Sequence, residues 1–170
     1  MQQPQQRHAI VTCYDPRLDP IVEIYKQNLI LKGHTVLTPI RPVGGVHAMT
    51  RSACRHFFYD QLDGLIVVGK ATHLHIFPHT NCQYGWLKVR EKIGDTSEQD
   101  LAFQVDMLKK SCEGARIHVK EQFPKEHIAI IGGIILTQSH RVITLEEALD
   151  LLPHRSCHEQ RSPDKVRLSA

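Results

Sequence analysis

The chain predicts an α/β domain built on a mainly parallel β-sheet flanked by helices. Two observations carry that expectation. Short apolar, β-branched runs alternate with stretches of helical periodicity along the 170 residues, the order expected of a sheet whose parallel strands are joined by helices. No internal repeat and no linker breaks this alternation, so the length is that of one domain. We take residues 1–153 as a single α/β domain and 154–170, polar and without periodicity, as a C-terminal tail.

Each element has its own signal. His8 to Cys13 (HAIVTC) is long enough for a buried strand. Asp19 reads as a helix N-cap and Pro20 as the first helical residue. Ile21, Ile24, Tyr25, Asn28 and Leu29 then keep helical spacing, and Gly33 ends the helix as a left-handed cap. A strand follows over about 34–40, then the Pro/Gly turn Arg41-Pro42-Val43-Gly44-Gly45. Ser52 to Gln61 reads as helix, with Ala53, Phe57 and Phe58 as its apolar contacts. The runs 65–68 and 73–77 fit either two strands or one strand and a helix end. Ser97 to Phe123 is the clearest helix: Leu101, Val105, Leu108, Cys112, Ala115 and Val119 recur at three- and four-residue steps. Thr96 with Gln99 fits a capping box at its start. His127 to Leu136 (HIAIIGGIIL) is a strand, Arg141 to Leu145 its hairpin partner, and Thr144 with Glu147 caps a last short helix that stops at Pro153.

Composition excludes several functions. No apolar run approaches the ~18 residues of a membrane span. Met1 to His8 is rich in Gln and lacks the apolar stretch of a signal peptide, so a cytoplasmic protein is expected. The net charge of +3 comes from scattered basic residues, and only 6% of residues are aromatic, which argues against a nucleic-acid surface. Five cysteines, an odd number, point to free thiols or metal ligands rather than a disulfide framework.

Two short motifs carry the chemistry. Cys13-Tyr14-Asp15-Pro16-Arg17 stands at the end of the first strand, where ligands gather in open α/β sheets. A thiolate is a strong zinc ligand, a carboxylate two residues on can reach the metal or its water, and an arginine two further on can hold that carboxylate in a two-pronged ion pair. Alone, the motif reads first as a buried structural cysteine beside a helix cap, because free cysteine is often simply core. His79-Thr80-Asn81-Cys82 follows a later strand, and alone it is an ordinary turn. Together, Cys13, His79 and Cys82 offer three metal ligands at one sheet edge, and three ligands with an open fourth position mark a catalytic zinc site.

At these residues the chain resembles the β-class carbonic anhydrases, as a divergent member. That family carries C-x-D-x-R after its first strand and H-x-x-C after a later one, here Cys13, Asp15, Arg17, His79 and Cys82. Arg41 to Gly45 is similar to the family's R-N-A-G-G turn, with Pro42 in place of Asn. Ile131-Gly132-Gly133-Ile134 and the hairpin to Leu145 are similar to its closing strands. The likeness spans about residues 8–145. His79-Thr80-Asn81-Cys82-Gln83 stands where the family reads H-T-D-C-G, and Pro78 where Gly often precedes the His.

The resemblance implies reversible hydration of carbon dioxide to bicarbonate by hydroxide generated at zinc. It implies zinc on Cys13, His79 and Cys82, Asp15 orienting the hydroxide, and Arg17 keeping Asp15 ionised. The same Asp15 can become a fourth zinc ligand when Arg17 lets go. The family works as homodimers or higher homo-oligomers on a small-molecule substrate. His47, His73 and His75 are proton-shuttle candidates by residue type, read more simply as surface or strand histidines. Cys112 reads as core, Cys54 and Cys157 lack metal spacing, and Tyr84 and Trp86 read as packing residues. Two other functions fit the altered pocket: hydrolysis of another small linear molecule such as carbonyl sulfide or carbon disulfide, or a non-catalytic zinc-binding role in assembly or regulation.

Overall fold

A computed structural model describes residues 5–50, 52–83 and 97–152. Five strands form one sheet in the order β2-β1-β3-β4-β5. They are β1 (Arg7–Thr12), β2 (Thr35–Val36), β3 (His73–Phe77), β4 (Ala129–Leu136) and β5 (Arg141–Thr144). β1 pairs in parallel with β2 and β3, and β3 with β4. Only β5 runs antiparallel, as the hairpin partner of β4. The predicted α/β class with a mainly parallel sheet is the observed one.

Period-two alternation sends side chains to opposite faces of the sheet. Ala9, Val11, Leu74, Ile76 and Ile134 join a large core with Phe58, Leu62, Leu101, Leu108 and Ala115. These partners come from α3 (Ser52–Val67) and α4 (Ser97–Gln122). Ile10, Phe77 and Ile135 face the other way. They pack with Leu18, Ile21 and Val22 around α1 (Asp19–Leu31), and Cys13 and Cys82 belong to this second cluster. Among the described residues, the remaining α-helices are α2 (His47–Thr50) and α5 (Leu145–Asp150).

Several boundaries differ from the sequence reading for local reasons. Asp19 is the first residue of α1, not its cap, because Pro16–Leu18 already forms a 3-10 turn that leads straight into the helix. Within α1 the buried pair is Ile21 and Val22, while Ile24 is 63% exposed. Strand β2 holds only two residues, with Ile40 returning as a single bridge to Val11. The ambiguity over 65–77 resolves as one strand: α3 runs through to Val67, and β3 starts at His73. On α3, Phe58 is buried and Phe57 exposed.

The long helix behaves as its periodicity predicts, with all six of its named apolar positions buried. Gly33 takes φ 84 as the left-handed cap of α1, and Thr144 with Glu147 closes the expected capping box on α5. Thr96, Tyr84, Trp86, Pro153, Cys157 and the 154–170 tail lie outside the described residues. Among the described residues, no helix is long and apolar enough to cross a membrane.

Candidate metal centre

The register of the sheet brings the two motifs together. Thr12 is the Cα partner of Phe77, so β1 and β3 end side by side and deliver Cys13 and His79 to one edge. A parallel bridge from His79 to Ile135, with Thr80 N–H donating to the Ile135 carbonyl at 3.0 Å, ties the second motif to β4. Asn81 then takes the left-handed conformation, φ 55, and the chain turns back to place Cys82 beside Cys13. The two sulfurs and a ring nitrogen of His79 all lie within 4.8 Å of one another. Cys13 is 5% exposed, His79 1% and Cys82 3%.

The donor set fits a metal ion on two counts. His79 Nδ1 is tied to the Thr80 carbonyl at 2.9 Å, which fixes the ring and leaves Nε2 buried without a hydrogen-bond partner. An orphaned buried nitrogen is rare in folded proteins, and a ligand nitrogen whose partner atom is so held is the usual arrangement at metals. The two thiols, for their part, cannot ionise independently. Cys82 is driven toward thiolate by the hydrogen bond from Cys13, aided by the imidazoles of His47 and His79. The same bond, together with burial, pushes Cys13 the other way. The metal-free pair therefore keeps one proton, which a divalent cation would displace.

Beside these donors stands the acidic pair. Asp15 receives Arg17 Nε at 3.0 Å on Oδ1 and Nη2 at 2.6 Å on Oδ2, and the Arg17 backbone N–H donates to Oδ1 at 3.0 Å. The hydrogen bond from Arg17 holds the carboxyl below the usual carboxylate range. Asp15 is thus engaged by Arg17 and stands outside the compact group of three donors. A cavity of about 430 Å³ opens over this edge, lined by Cys13, Asp15, Arg17, Gly44 and Cys82, with Tyr14 and Gln83 among the other wall residues.

Solved structures share this architecture. The β-carbonic anhydrase CafD of the filamentous fungus Aspergillus fumigatus, in a mutant form, is similar with a TM-score of 0.54 and 15% identity, over 84% of this chain and 90% of that one. CafA of the same fungus gives 0.55 and 14%, over 86% and 80%. A tetrameric β-carbonic anhydrase of Sordaria macrospora gives 0.55 and 12%, over 85% and 82%. The chain has the β-carbonic anhydrase fold. No protein-family model matches the sequence, and no curated protein matches it.

On the β-carbonic anhydrase fold the predicted residues divide cleanly. Cys13, His79, Cys82, Asp15 and Arg17 meet at one edge. Of the histidines considered as shuttles, only His47 comes near, buried in α2 with its imidazole acting on Cys82. His73 and His75 lie further back on β3, in a cluster with His8 and Tyr25. Sequence reasoning treated Arg41 as part of a turn, yet it supports the whole first motif. Its guanidinium donates to the carbonyls of Cys13 at 3.3 Å and Asp15 at 3.1 Å and pairs with Asp19. It missed Asp100, whose signal was an acidic residue in the first turn of the long helix and nothing more specific.

The glycine turn has a steric reason. A Cβ on Gly45 would stand 2.8 Å from Cys13 N and 2.9 Å from its Cα, and the residue has φ 53. Only glycine lets the turn press this closely on the β1 end.

Proposed function

We propose that this chain is a zinc-dependent lyase that reversibly hydrates carbon dioxide to bicarbonate. The observation that carries the reading is the convergence of three buried donors, two of which line one small cavity together with an arginine-held carboxylate. Cys13, His79 Nε2 and Cys82 would hold the zinc. When bound, zinc supplies the Lewis acidity that makes hydroxide accessible near neutral pH. Asp15, acceptor-only while ionised, takes a hydrogen bond from the attacking water and points its lone pair into the cavity. Arg17 keeps Asp15 ionised and holds it away from the donor group. Because two thiolates donate more charge than imidazoles, activity should rise toward alkaline pH.

The same reading makes the protein cytoplasmic, with no nucleic-acid or membrane partner, and a homodimer or larger homo-oligomer. An apolar cavity of about 380 Å³ between α1 and the β4–β5 hairpin, lined by Ile21, Tyr25, Phe77, Ile131 and Val142, supports a subunit contact there. Residues 1–153 form the zinc-binding domain, with 154–170 as its tail.

A second substrate class is favoured by one feature. Gln83 lines the cavity at a position where the resemblance leads one to expect glycine, and this alters the pocket wall. Carbonyl sulfide or carbon disulfide hydrolysis is the corresponding reaction.

Stopped-flow hydration of carbon dioxide, on protein of measured zinc content and from about pH 7 to 9, tests the reading. Turnover that tracks zinc and vanishes in Cys82→Ala is the expected result. One zinc per chain without hydration would sink it and move the assignment to the sulfur substrates or to a non-catalytic zinc protein.

A further inference from the structure

The turn that carries His79 and Cys82 is gripped at one residue from two sides. The Asn81 N–H donates to Asp100 Oδ2 at 2.6 Å, and its carbonyl accepts from Arg17 Nη2 at 2.8 Å. Asn81 is also the residue in the left-handed conformation, so these two bonds fix the dihedral angles on which the return of Cys82 depends.

Asp100 sits in the first turn of α4 and is only 8% exposed. Its other oxygen, Oδ1, accepts from Gln104 Nε2 at 3.0 Å. Gln104 is fully buried, and its Oε1 has no hydrogen-bond partner. A buried carboxylate is costly to place. Here the N-terminal end of α4 and two donated hydrogen bonds offset that cost. The resulting line runs Asp100, Asn81 N–H, Asn81 carbonyl, Arg17, Asp15. It joins the long helix to the acidic pair through a single residue.

We propose that Asp100 is a positioning residue of the metal centre: by holding the Asn81 N–H it sets Cys82 against Cys13 and, through the Asn81 carbonyl, keeps Arg17 on Asp15. This inference rests on the metal-binding half of the function proposed above and is independent of the substrate.

Gln104 supplies an internal control. In Asp100→Asn, the new carbonyl oxygen can still accept from Asn81. The new amide can donate to Gln104 Oε1 once the Gln104 amide turns over, and that oxygen is now unpartnered. Asp100→Ala and the near-isosteric Asp100→Leu can do neither.

The experiment titrates the full-length protein with cobalt(II) and follows the thiolate-to-cobalt charge-transfer absorption. Melting of each metal-free variant is recorded by circular dichroism. Asp100→Ala or Asp100→Leu should weaken cobalt binding by about 10–100-fold, as loss of an outer-shell partner does, while Asp100→Asn stays near the parent value. Combined with Arg17→Ala, the loss should be clearly less than additive, because both act on Asn81. A purely structural carboxylate would give additive losses.

Equal affinity in Asp100→Ala, or equal weakening in Asp100→Asn, would overturn the proposal. So would folding of Asp100→Asn alone, which would make Asp100 a folding residue. A parent protein that binds no cobalt would remove both the metal reading and this proposal. Cobalt binding that depends on Asp100, in a protein that does not hydrate carbon dioxide, would remove only the substrate assignment.

Discussion

Two residues beside the donors have conformations that most side chains resist, and each yields a prediction. Gly45→Ala would drive a Cβ into the Cys13 backbone at 2.8 Å and strain a positive φ, so β1 must shift where it delivers the first sulfur. The expected outcome is loss of most metal binding, read as zinc per chain after dialysis; full retention would show that the turn can yield. Asn81 stands at φ 55, with its side-chain amide donating to Thr137 Oγ1 at 3.3 Å. Asn81→Gly should melt close to the parent. Asn81→Val should lose about 1–2 kcal/mol, the penalty of a β-branched residue in the left-handed region, measurable by urea unfolding of the metal-free protein. That Cys13, Asp15, Arg17, His79 and Cys82 meet at one sheet edge was legible in the sequence because donor chemistry and strand-end position are local signals. Arg41 and Asp100 were not, because their role depends on which carbonyl or N–H the fold brings to them across 26 and 19 residues.

At the scale of elements, the site depends on β4 reaching the end of β3. Gly133 stands where β4 packs under the hairpin: a Cβ there would lie 2.9 Å from the Ile143 carbonyl and 3.1 Å from the Phe77 ring. Gly133→Ala should cost about 1–3 kcal/mol by overpacking and should loosen the bridge from Ile135 to His79. Urea unfolding gives the cost, and amide exchange at Thr80, which donates to Ile135, reports the bridge. Unchanged exchange with lowered stability would separate the hairpin from the site. The elements that sequence periodicity predicted well are those whose pattern is long, above all α4, or closed by a specific cap, as α5 is. The 65–68 run stayed open between strand and helix end because the two share the same apolar composition. The structure ends α3 with Lys70 at φ 54 before β3 begins. The exposure of Ile24 was equally hidden, because helical spacing cannot say how much of a stripe the sheet will cover.

At the scale of the whole molecule, the sheet carries a second polar group away from the metal edge. His8 Nδ1 and His75 Nε2 lie 2.7 Å apart, the Tyr25 hydroxyl lies 3.0 Å from His75 Nδ1, and His73 and His34 stack or tilt against His8. Burial lowers His8 to about 4 and His75 to about 3, and the neighbouring imidazoles add to both shifts. The folded protein thus keeps these rings neutral, while in the unfolded chain they titrate near 6.5. The stability they allow is complete above about pH 6.5 and falls as the pH drops toward the folded values, because the unfolded state then binds more protons. At about pH 5 the deeply buried His75 ring alone should cost about 2 kcal/mol, at about 1.4 kcal/mol per pH unit. Acid also strips metal from thiolates, so the test is a difference. Urea unfolding of the metal-free parent and of His75→Gln, from about pH 7.5 to 5, should show a shallower loss in the variant. Glutamine keeps a donor and an acceptor for Tyr25 and His8 but cannot take up a proton. Parallel curves would mean that the acid sensitivity of the molecule lies at the metal edge and not in this cluster.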